Sequence, residues 1–569
     1  MPQYEEAPVG MGTLWGRNIT LTGGPGGPSS GRCRRVRADP APVHAAATIP
    51  ARLRSRRTLV VSEVVIVRTA RVLLLSLGSS ALLVSTALPA GAYPFGIVSS
   101  VPASGPSPFA GCTVGAAPPP DPGTVYPNTE VEPFVAVNPM PPHNLIGVFQ
   151  QDRWSNGGAR GLVASRSTNG TTWAESFAEF SECSGSDDPA YDRASDPWVT
   201  FDTDGNAYQI SLSVSADQVT SAILVSKSTD QGATWQEPVT LIRDDDPLHF
   251  NDKESITGDP TRDGYVYAVW DRGTLPGGPR SPTSEAHSFA FRGQPIFSRT
   301  TDRGAHWSEP VAMSNANVFT LGNQIAVLPN GTLVDVFWTG RGSGLQPSPN
   351  QDFIGAMVST DAGLHWSPVI KIDNFAELPG CGAERICDPD TGAPVRAGTN
   401  IPDIAVHQDP NSGRVYVVWA DGRFSGGAYP DVLLSSSVDG RRWTTPVKVN
   451  QTPVPVAAFN PVVEVSSDGT VGVLYYDFRE NTPAEGLPTT VFLAHSHDAG
   501  VTWDDEVLLG GPFDMENAPF ARGLFLGDYQ GLVAIPTDAV ADDFLAFFAV
   551  TTVAANSADV VAVRVTPGT

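Results

Sequence analysis

The chain has 569 residues, with 36 basic against 60 acidic side chains and a formal net charge of −24. A chain this acidic lacks the clustered Lys and Arg that nucleic-acid backbones or anionic membrane surfaces require, which sets both partners aside. Net charge bears on solubility and steering and leaves the fold open.

From the N-terminus, two compositions are visible. Residues 1–92 hold eleven Arg, no Lys and four acids, so the remainder carries 25 basic and 56 acidic residues, a net of −31. Within "RTARVLLLSLGSSALLVSTALPAGAY", Arg68 and Arg71 precede an apolar run over 72–88 and a small-x-small site at Ala90-Gly91-Ala92. That order predicts a secretory signal over 68–92, cleaved ahead of Tyr93. The run is near the lower length limit for a membrane span and is broken by Gly78, Ser79 and Ser80, so no stable span is expected. Residues 1–67 read as a non-native or disordered extension, explained most simply by an upstream mis-called start. Setting aside Cys33 leaves four cysteines, an even number that permits disulfides in an exported chain. "CGAERIC" offers a short loop closed through Cys381 and Cys387, which leaves Cys112 with Cys183.

Six related stretches recur downstream: "STNGTTW", "STDQGATW", "TTDRGAHW", "STDAGLHW", "SVDGRRW" and "SHDAGVTW", with start-to-start spacings of 61, 72, 59, 78 and 59 residues. Recurrence at this period marks one supersecondary unit copied along the chain. Around each box the same strand signals return. In the fifth copy "DIAVH", "RVYVVWA", "DVLLSSS" and "TPVKV" read as four strands, alternating, β-branched and punctuated by Gly, Pro and Asp. The expected fold is all-β, a β-propeller of four-stranded antiparallel blades over 128–569. First strands fall at "EPFVAV", "DPWVTF", "ESITG", "NQIAV", "DIAVH" and "PVVEV". A seventh unit without a box has only three strands, "GDYQGLVAI", "DFLAFFAVTT" and "DVVAVRV", so its missing outer strand is expected from "YPFGIVSSV" in the segment 93–127. Seven blades result, or six if one unit is misread.

Each box joins the third and fourth strands, opposite the face that carries the second-to-third loops. Its acidic or amide residue (Asn169, Asp230, Asp302, Asp361, Asp439, Asp498) is expected to bond nearby backbone amides in a tight glycine turn while the Trp packs on the blade, a structural role. The other mouth receives Asp152, Arg153, Asp271, Arg272, Arg341, Asp421, Arg423, Asp477 and Arg479 from the ends of second strands. Most of these Asp-Arg pairs read as repeated salt bridges between blades. First strands add Glu132, Asp196, Glu254, Gln324, Asp403 and Asp528-Tyr529 nearer the axis.

These boxes and their layout resemble the Asp-box (BNR-repeat) propellers of the sialidase superfamily, from about Glu130 to the C-terminus. The resemblance implies a tyrosine nucleophile assisted by an acid, an aspartic acid as acid/base, and arginines that clamp the substrate carboxylate. Carried over by position, Tyr529 matches the nucleophile, Asp403 its acidic partner and Asp152 the acid/base. Arg423 and Arg479 match the clamp, with Arg341, Arg153 and Arg272 as further substrate-binding candidates. The family's first-strand arginine has no counterpart: Glu132 and Pro133 stand there. The expected function is a secreted protein acting on extracellular glycans, an exo-sialidase-type glycoside hydrolase or else a non-catalytic glycan- or protein-binding propeller. No cofactor is implied, although Asp187, Asp188, Asp388 and Asp390 offer oxygen ligands of the kind calcium takes.

Overall fold

Short alternating apolar runs give strands where they are expected, because a buried sheet needs its apolar side chains on alternate faces and its backbone groups paired. In the computed structural model, residues 93–568 are described apart from 275–291, 315–317, 341–351, 377, 379, 381–385, 412 and 538–540. Residues 1–92, where the extension and the secretory signal are expected, lie outside the described residues.

Along the chain come one eight-stranded and then four four-stranded antiparallel sheets. The eight-stranded one divides at its single Ala159–Ala194 pairing into two four-stranded units, and the six units so counted are the first to sixth sheets. Their first strands are Glu130–Val137, Arg193–Phe201, His249–Gly258, Phe319–Val327, Asp403–His407 and Ala458–Val465. A seventh sheet is built from Gly531–Ile535, Asp543–Thr551 and Ala558–Pro567, and its outer strand is Phe95–Pro102, paired antiparallel with Ala558–Pro567. The N-terminal segment therefore completes the sheet that the C-terminus leaves one strand short. A small extra sheet joins Ile386–Cys387, Pro394–Arg396 and Leu524–Phe525, the last two strands in parallel. No helix among the described residues is long and apolar enough to cross a membrane.

Apolar clusters sit between neighbouring sheets rather than within them. Ile146 and Val148 of the first sheet meet Val199 and Phe201 of the second. Tyr208 and Ile210 meet Val266 and Trp270, then Tyr267 and Phe297 meet Ile325 and Phe337. Trp338 and Val358 meet Val417 and Trp419, and Tyr416 and Val418 meet Val471 and Val473. Leu474 and Phe459 of the sixth sheet meet Phe544 and Phe548 of the seventh, and Phe547 of the seventh meets Phe149 of the first. Because both faces of each sheet are covered, the second and third strands read as nearly continuous apolar runs. The last seam is so close that a Cβ on Gly147 would fall 2.1 Å from the Phe547 ring, so only glycine fits.

The four longer boxes share one geometry, and the two shorter ones a turn one residue tighter in which Asn169 and Asp439 accept amides two and three residues on. Ser228 Oγ donates to Asp230 Oδ1 at 2.8 Å, and that carboxylate accepts the Ala233 and Thr234 amides at 3.1 and 2.9 Å. The Gly232 amide, in the left-handed region at φ 78°, donates back to Ser228 Oγ at 2.9 Å. Asn169, Asp302, Asp361, Asp439 and Asp498 likewise accept amides of their own turns. The Trp residues lie against the seam with the preceding sheet; Trp235 Nε1 donates to Ser176 Oγ of the first sheet at 3.0 Å. Cys112 and Cys183 form the expected disulfide. Cys387 is disulfide-bonded, and Cys381 lies outside the described residues.

Candidate functional site

A repeated irregularity of the first strands builds the site. The register slips between Val131 and Phe134, Ser195 and Trp198, Asp252 and Ser255, Leu321 and Gln324, and Phe459 and Val462. At each slip one residue has positive φ: Glu132 at 53°, Asp196 at 51°, Lys253 at 49°, Gly322 at 70° and Asn460 at 56°. Such bulges re-aim a side chain, and left-handed non-glycine residues persist only where surrounding structure holds them.

Three of these re-aimed side chains converge. Lys253 Nζ lies 3.1 Å from Glu132 Oε1, 3.4 Å from Asp196 Oδ1 and 2.9 Å from Asp528 Oδ2. Asp528 also takes Arg396 Nη2 at 2.5 Å and Nε at 3.2 Å, from the small extra sheet. The segment carrying Asp528 is held from both sides: Glu132 N donates to Leu526 O at 3.0 Å, and Asn460 Nδ2 donates to Gly527 O at 3.1 Å. Gln150 Nε2 donates to Glu132 Oε2 and, at 3.1 Å, to Ser195 Oγ, which donates to Asp196 Oδ1 at 3.0 Å. Arg153 Nη1 donates to Gln150 Oε1 at 2.5 Å, and the Arg153 and Arg396 guanidiniums both lie over the Phe525 ring.

Environment separates these acids. Burial pushes the Glu132 carboxyl up, reinforced by Asp196 and Asp528 and only partly countered by Lys253. Burial acts in the same sense on Asp196, but Lys253 and hydrogen bonds from Glu132 and Asp252 outweigh it and hold that carboxyl down. Asp528 is held far below the ordinary carboxylate range, because Arg396 and Lys253 overcome its burial. Asp252 and Glu254 are raised by burial and by the Asp196 charge.

Tyr529 stands beside this centre, just ahead of the first strand of the seventh sheet. Its ring packs edge-on to Trp198 at 5.1 Å and 5.5 Å from Lys253 Nζ, while its hydroxyl donates to the Pro197 carbonyl at 3.4 Å. Burial, then the charges of Glu132, Asp196, Glu254 and Asp528, push the phenol well above its ordinary value.

Of the residues expected at the mouth, Glu132, Asp196, Asp528, Tyr529 and Arg153 reach this centre, and the expected catalytic and clamp residues Asp403, Asp152, Arg272, Arg423 and Arg479 are engaged elsewhere. Asp403 accepts the Val463 amide at 2.8 Å, fastening the fifth sheet to the sixth. Asp152 is paired with Arg160 at 3.0 Å and accepts the Asn128 amide at 2.6 Å. Arg272 binds Asp244 of the second sheet's outer strand at 2.6 Å, Arg423 binds Asp421 and Asp373 at 2.7 and 2.8 Å, and Arg479 binds Asp477 and Glu506 at 2.6 and 2.7 Å. Arg341 lies outside the described residues. Asp188 pairs with Arg243, Asp388 accepts the Asp390 and Thr391 amides, and Asp390 takes the Asn481 amide nitrogen, so these acids are served by their own chain.

Lys253 and Arg396 were not expected. Aligning the first strands as "VEPF", "SDPW" and "DKES" puts Lys253 level with Glu132 and Asp196; strict alternation selects Glu254 instead. Arg396 lies in an insertion that no repeat anticipates.

No protein-family model matches the chain, and no curated protein does. Among solved structures it is similar to the Penicillium chrysogenum α-L-arabinanase complexed with arabinobiose, at 12% identity over 83% of this chain and 98% of that one, with a TM-score of 0.41. The Hadza microbial sialidase Hz136 is 15% identical over 74% of this chain and 73% of that one, with a TM-score of 0.41. The Trypanosoma rangeli sialidase is 14% identical over 70% and 56%, with a TM-score of 0.37. Likeness at this level transfers neither substrate nor mechanism.

Proposed function

We propose that this chain is an exported, closed seven-bladed propeller that acts on glycans, and that it hydrolyses a glycosidic bond of an uncharged sugar at the carboxylates around Lys253. One observation carries the chemistry: Glu132 and Asp196 contact the same ammonium, yet their environments push them in opposite directions. Glycoside hydrolysis needs one carboxyl that keeps its proton to give to the leaving oxygen, and a second that stays ionised to attack the sugar carbon or activate water. Glu132 suits the first role and Asp196 the second, provided that a bound sugar oxygen takes the place of Asp196 as the acceptor of the Glu132 proton and spreads the pair to the roughly 5 Å that a retaining enzyme uses.

The resemblance of the six boxes supports the glycan class. The seven apolar seams, including that between the seventh and first sheets, support the closed ring. The Cys112–Cys183 disulfide and the basic-apolar-small order over 68–92 support export. An acidic sugar fits less well, because Arg272, Arg423 and Arg479 already bind acids of this chain and are not arranged to clamp a carboxylate. A tyrosine nucleophile also fits less well, since the Tyr529 hydroxyl donates to a backbone carbonyl, which takes no proton.

The test is a panel of aryl glycosides, neutral sugars and sialosides together, incubated with the exported protein. Cleavage of a neutral glycoside with sialosides untouched is the expected result. Cleavage of sialosides alone overturns the substrate class, and glycan binding with no cleavage puts a binding module in its place.

A further inference from the structure

The sixth box differs from the other five at three positions, and the structure brings those three together. The residue before the opening Ser or Thr is Arg166, Lys227, Arg299, Val358 or Ser436 in the first five boxes and His495 in the sixth. The second box position is Thr168, Thr229, Thr301, Thr360 or Val438, then His497. The residue after the Trp is Ala174, Gln236, Ser308, Ser367 or Thr444, then Asp504. A box that only holds a turn needs none of these changes.

We propose that His495, His497 and Asp504 bind one divalent transition-metal ion of the zinc class, with the Tyr93 carbonyl as a fourth, oxygen ligand. One ligand atom from each of the three side chains lies within 4.8 Å of the others. Asp504 Oδ2 is 3.7 Å from His495 Nε2 and 3.5 Å from His497 Nε2, and the Tyr93 carbonyl oxygen is 3.3 Å from His497 Nε2. The two carboxylate spacings exceed a hydrogen bond. They approach the edge of a tetrahedron, about 3.3–3.6 Å when each ligand is about 2.0–2.2 Å from the metal.

Two independent features point to a ligand. His495 is 2% exposed, yet among the described residues neither ring nitrogen has a close hydrogen bond, only looser approaches to Asp504 Oδ2 at 3.7 Å and to the Tyr93 backbone, an arrangement rare for a buried polar group. His497 has its Nδ1 3.0 Å from Thr470 Oγ1, which leaves Nε2 facing both the Tyr93 carbonyl at 3.3 Å and Asp504 Oδ2 at 3.5 Å, the outer-shell fixing expected of a metal-binding imidazole. Both rings are braced by the N-terminal segment: Phe95 stands edge-on to His495 at 4.9 Å and Tyr93 to His497 at 4.3 Å. The comparable group Asp244, Asp246 and His249 lacks such a signal, because Asp244 is held by Arg272 and Asn251 and His249 by Asp246 at 2.9 Å. A metal at the first group ties the segment entering Phe95–Pro102 to the sixth sheet, securing the strand that completes the seventh.

Zinc titration by calorimetry into chelator-treated full chain tests this, with Co²⁺ as a spectroscopic probe and a thermal melt of each form. The expected results are one equivalent of Zn²⁺, a Co²⁺ spectrum of tetrahedral intensity and a higher melting temperature with metal. Asp504→Asn and His497→Gln should each weaken zinc by more than about 100-fold, the upper end for losing even an outer-shell partner. Asp504 is 40% exposed in its side chain, so Asp504→Asn decides the matter if His497→Gln fails to fold. Absence of stoichiometric zinc in the wild type, or equal affinity in Asp504→Asn, overturns the site.

Discussion

Lys253 Nζ lies 2.9 Å from Asp528 Oδ2, joining the first strand of the third sheet to the segment that opens the seventh. Both side chains are about nine-tenths buried, and Glu132 and Asp196 face the same ammonium. Removing the cation leaves three buried carboxyls with no common counter-charge. Lys253→Met should therefore lower stability by about 3–5 kcal/mol, the range for breaking a buried ion pair from one side. Urea unfolding measures it; a loss below about 1 kcal/mol would mean that the acids reach water or other cations.

The box carboxylates work differently, because they are partly exposed and bond the backbone of a turn. Asp230→Ala should cost about 0.5–2 kcal/mol, as for a lost capping interaction. Turnover per folded molecule should stay at the wild-type level, since the box lies on the face opposite the Lys253 centre. Paired melting curves and rate measurements check both halves.

Arg479→Met tests whether the mouth arginines are structural. Arg479 pairs with Asp477 and Glu506 and lies 3.5 Å over the Phe492 ring, so its loss should lower the melting temperature. The KM for a neutral glycoside should stay unchanged. A large rise in KM with unaltered melting would return Arg479 to substrate binding.

The repeat, its strands and the structural role of the box were legible because each rests on local residue types repeated six times. The Asp-Arg pairs were legible in part: Asp421–Arg423 and Asp477–Arg479 form, whereas Arg272 turns to Asp244 and Asp152 pairs with Arg160. The centre was only half visible. Glu132 and Asp196 are acids on first strands and Asp528 lies just ahead of one, but Lys253 becomes their partner through the bulge between Asp252 and Ser255, which the alternation of "DKES" does not reveal. Arg396 depends on parallel pairing between Val395 and Leu524, a contact across more than a hundred residues with no local signature. Asp403 matches the resemblance by position, yet its carboxylate turns to the Val463 amide.

Asp403 also predicts a pH dependence. Burial pushes its carboxyl up to about 8, above the ordinary value of 3.8, so the folded state keeps a proton that the unfolded state releases. Its contribution to stability is fully present below about pH 4 and is lost as pH rises through about 8. Asp403→Asn keeps an oxygen for the Val463 amide and removes the titration. The wild type should therefore lose more melting temperature between pH 6 and 9 than Asp403→Asn does, and identical slopes would show that Asp403 ionises freely.

The central claim is that a protonated Glu132, rather than the Tyr529 oxygen, drives bond cleavage, and the turnover of Glu132→Gln set beside that of Tyr529→Phe on one neutral aryl glycoside tests it most directly. Glutamine keeps the shape and removes the acidic proton, so kcat should fall by about 10²–10⁴, the usual worth of a positioned general acid. Tyr529→Phe keeps the ring against Trp198 and should retain most of the rate. If Glu132→Gln turns over like the wild type while Tyr529→Phe is inactive, the carboxylate account is contradicted and the tyrosine is the nucleophile.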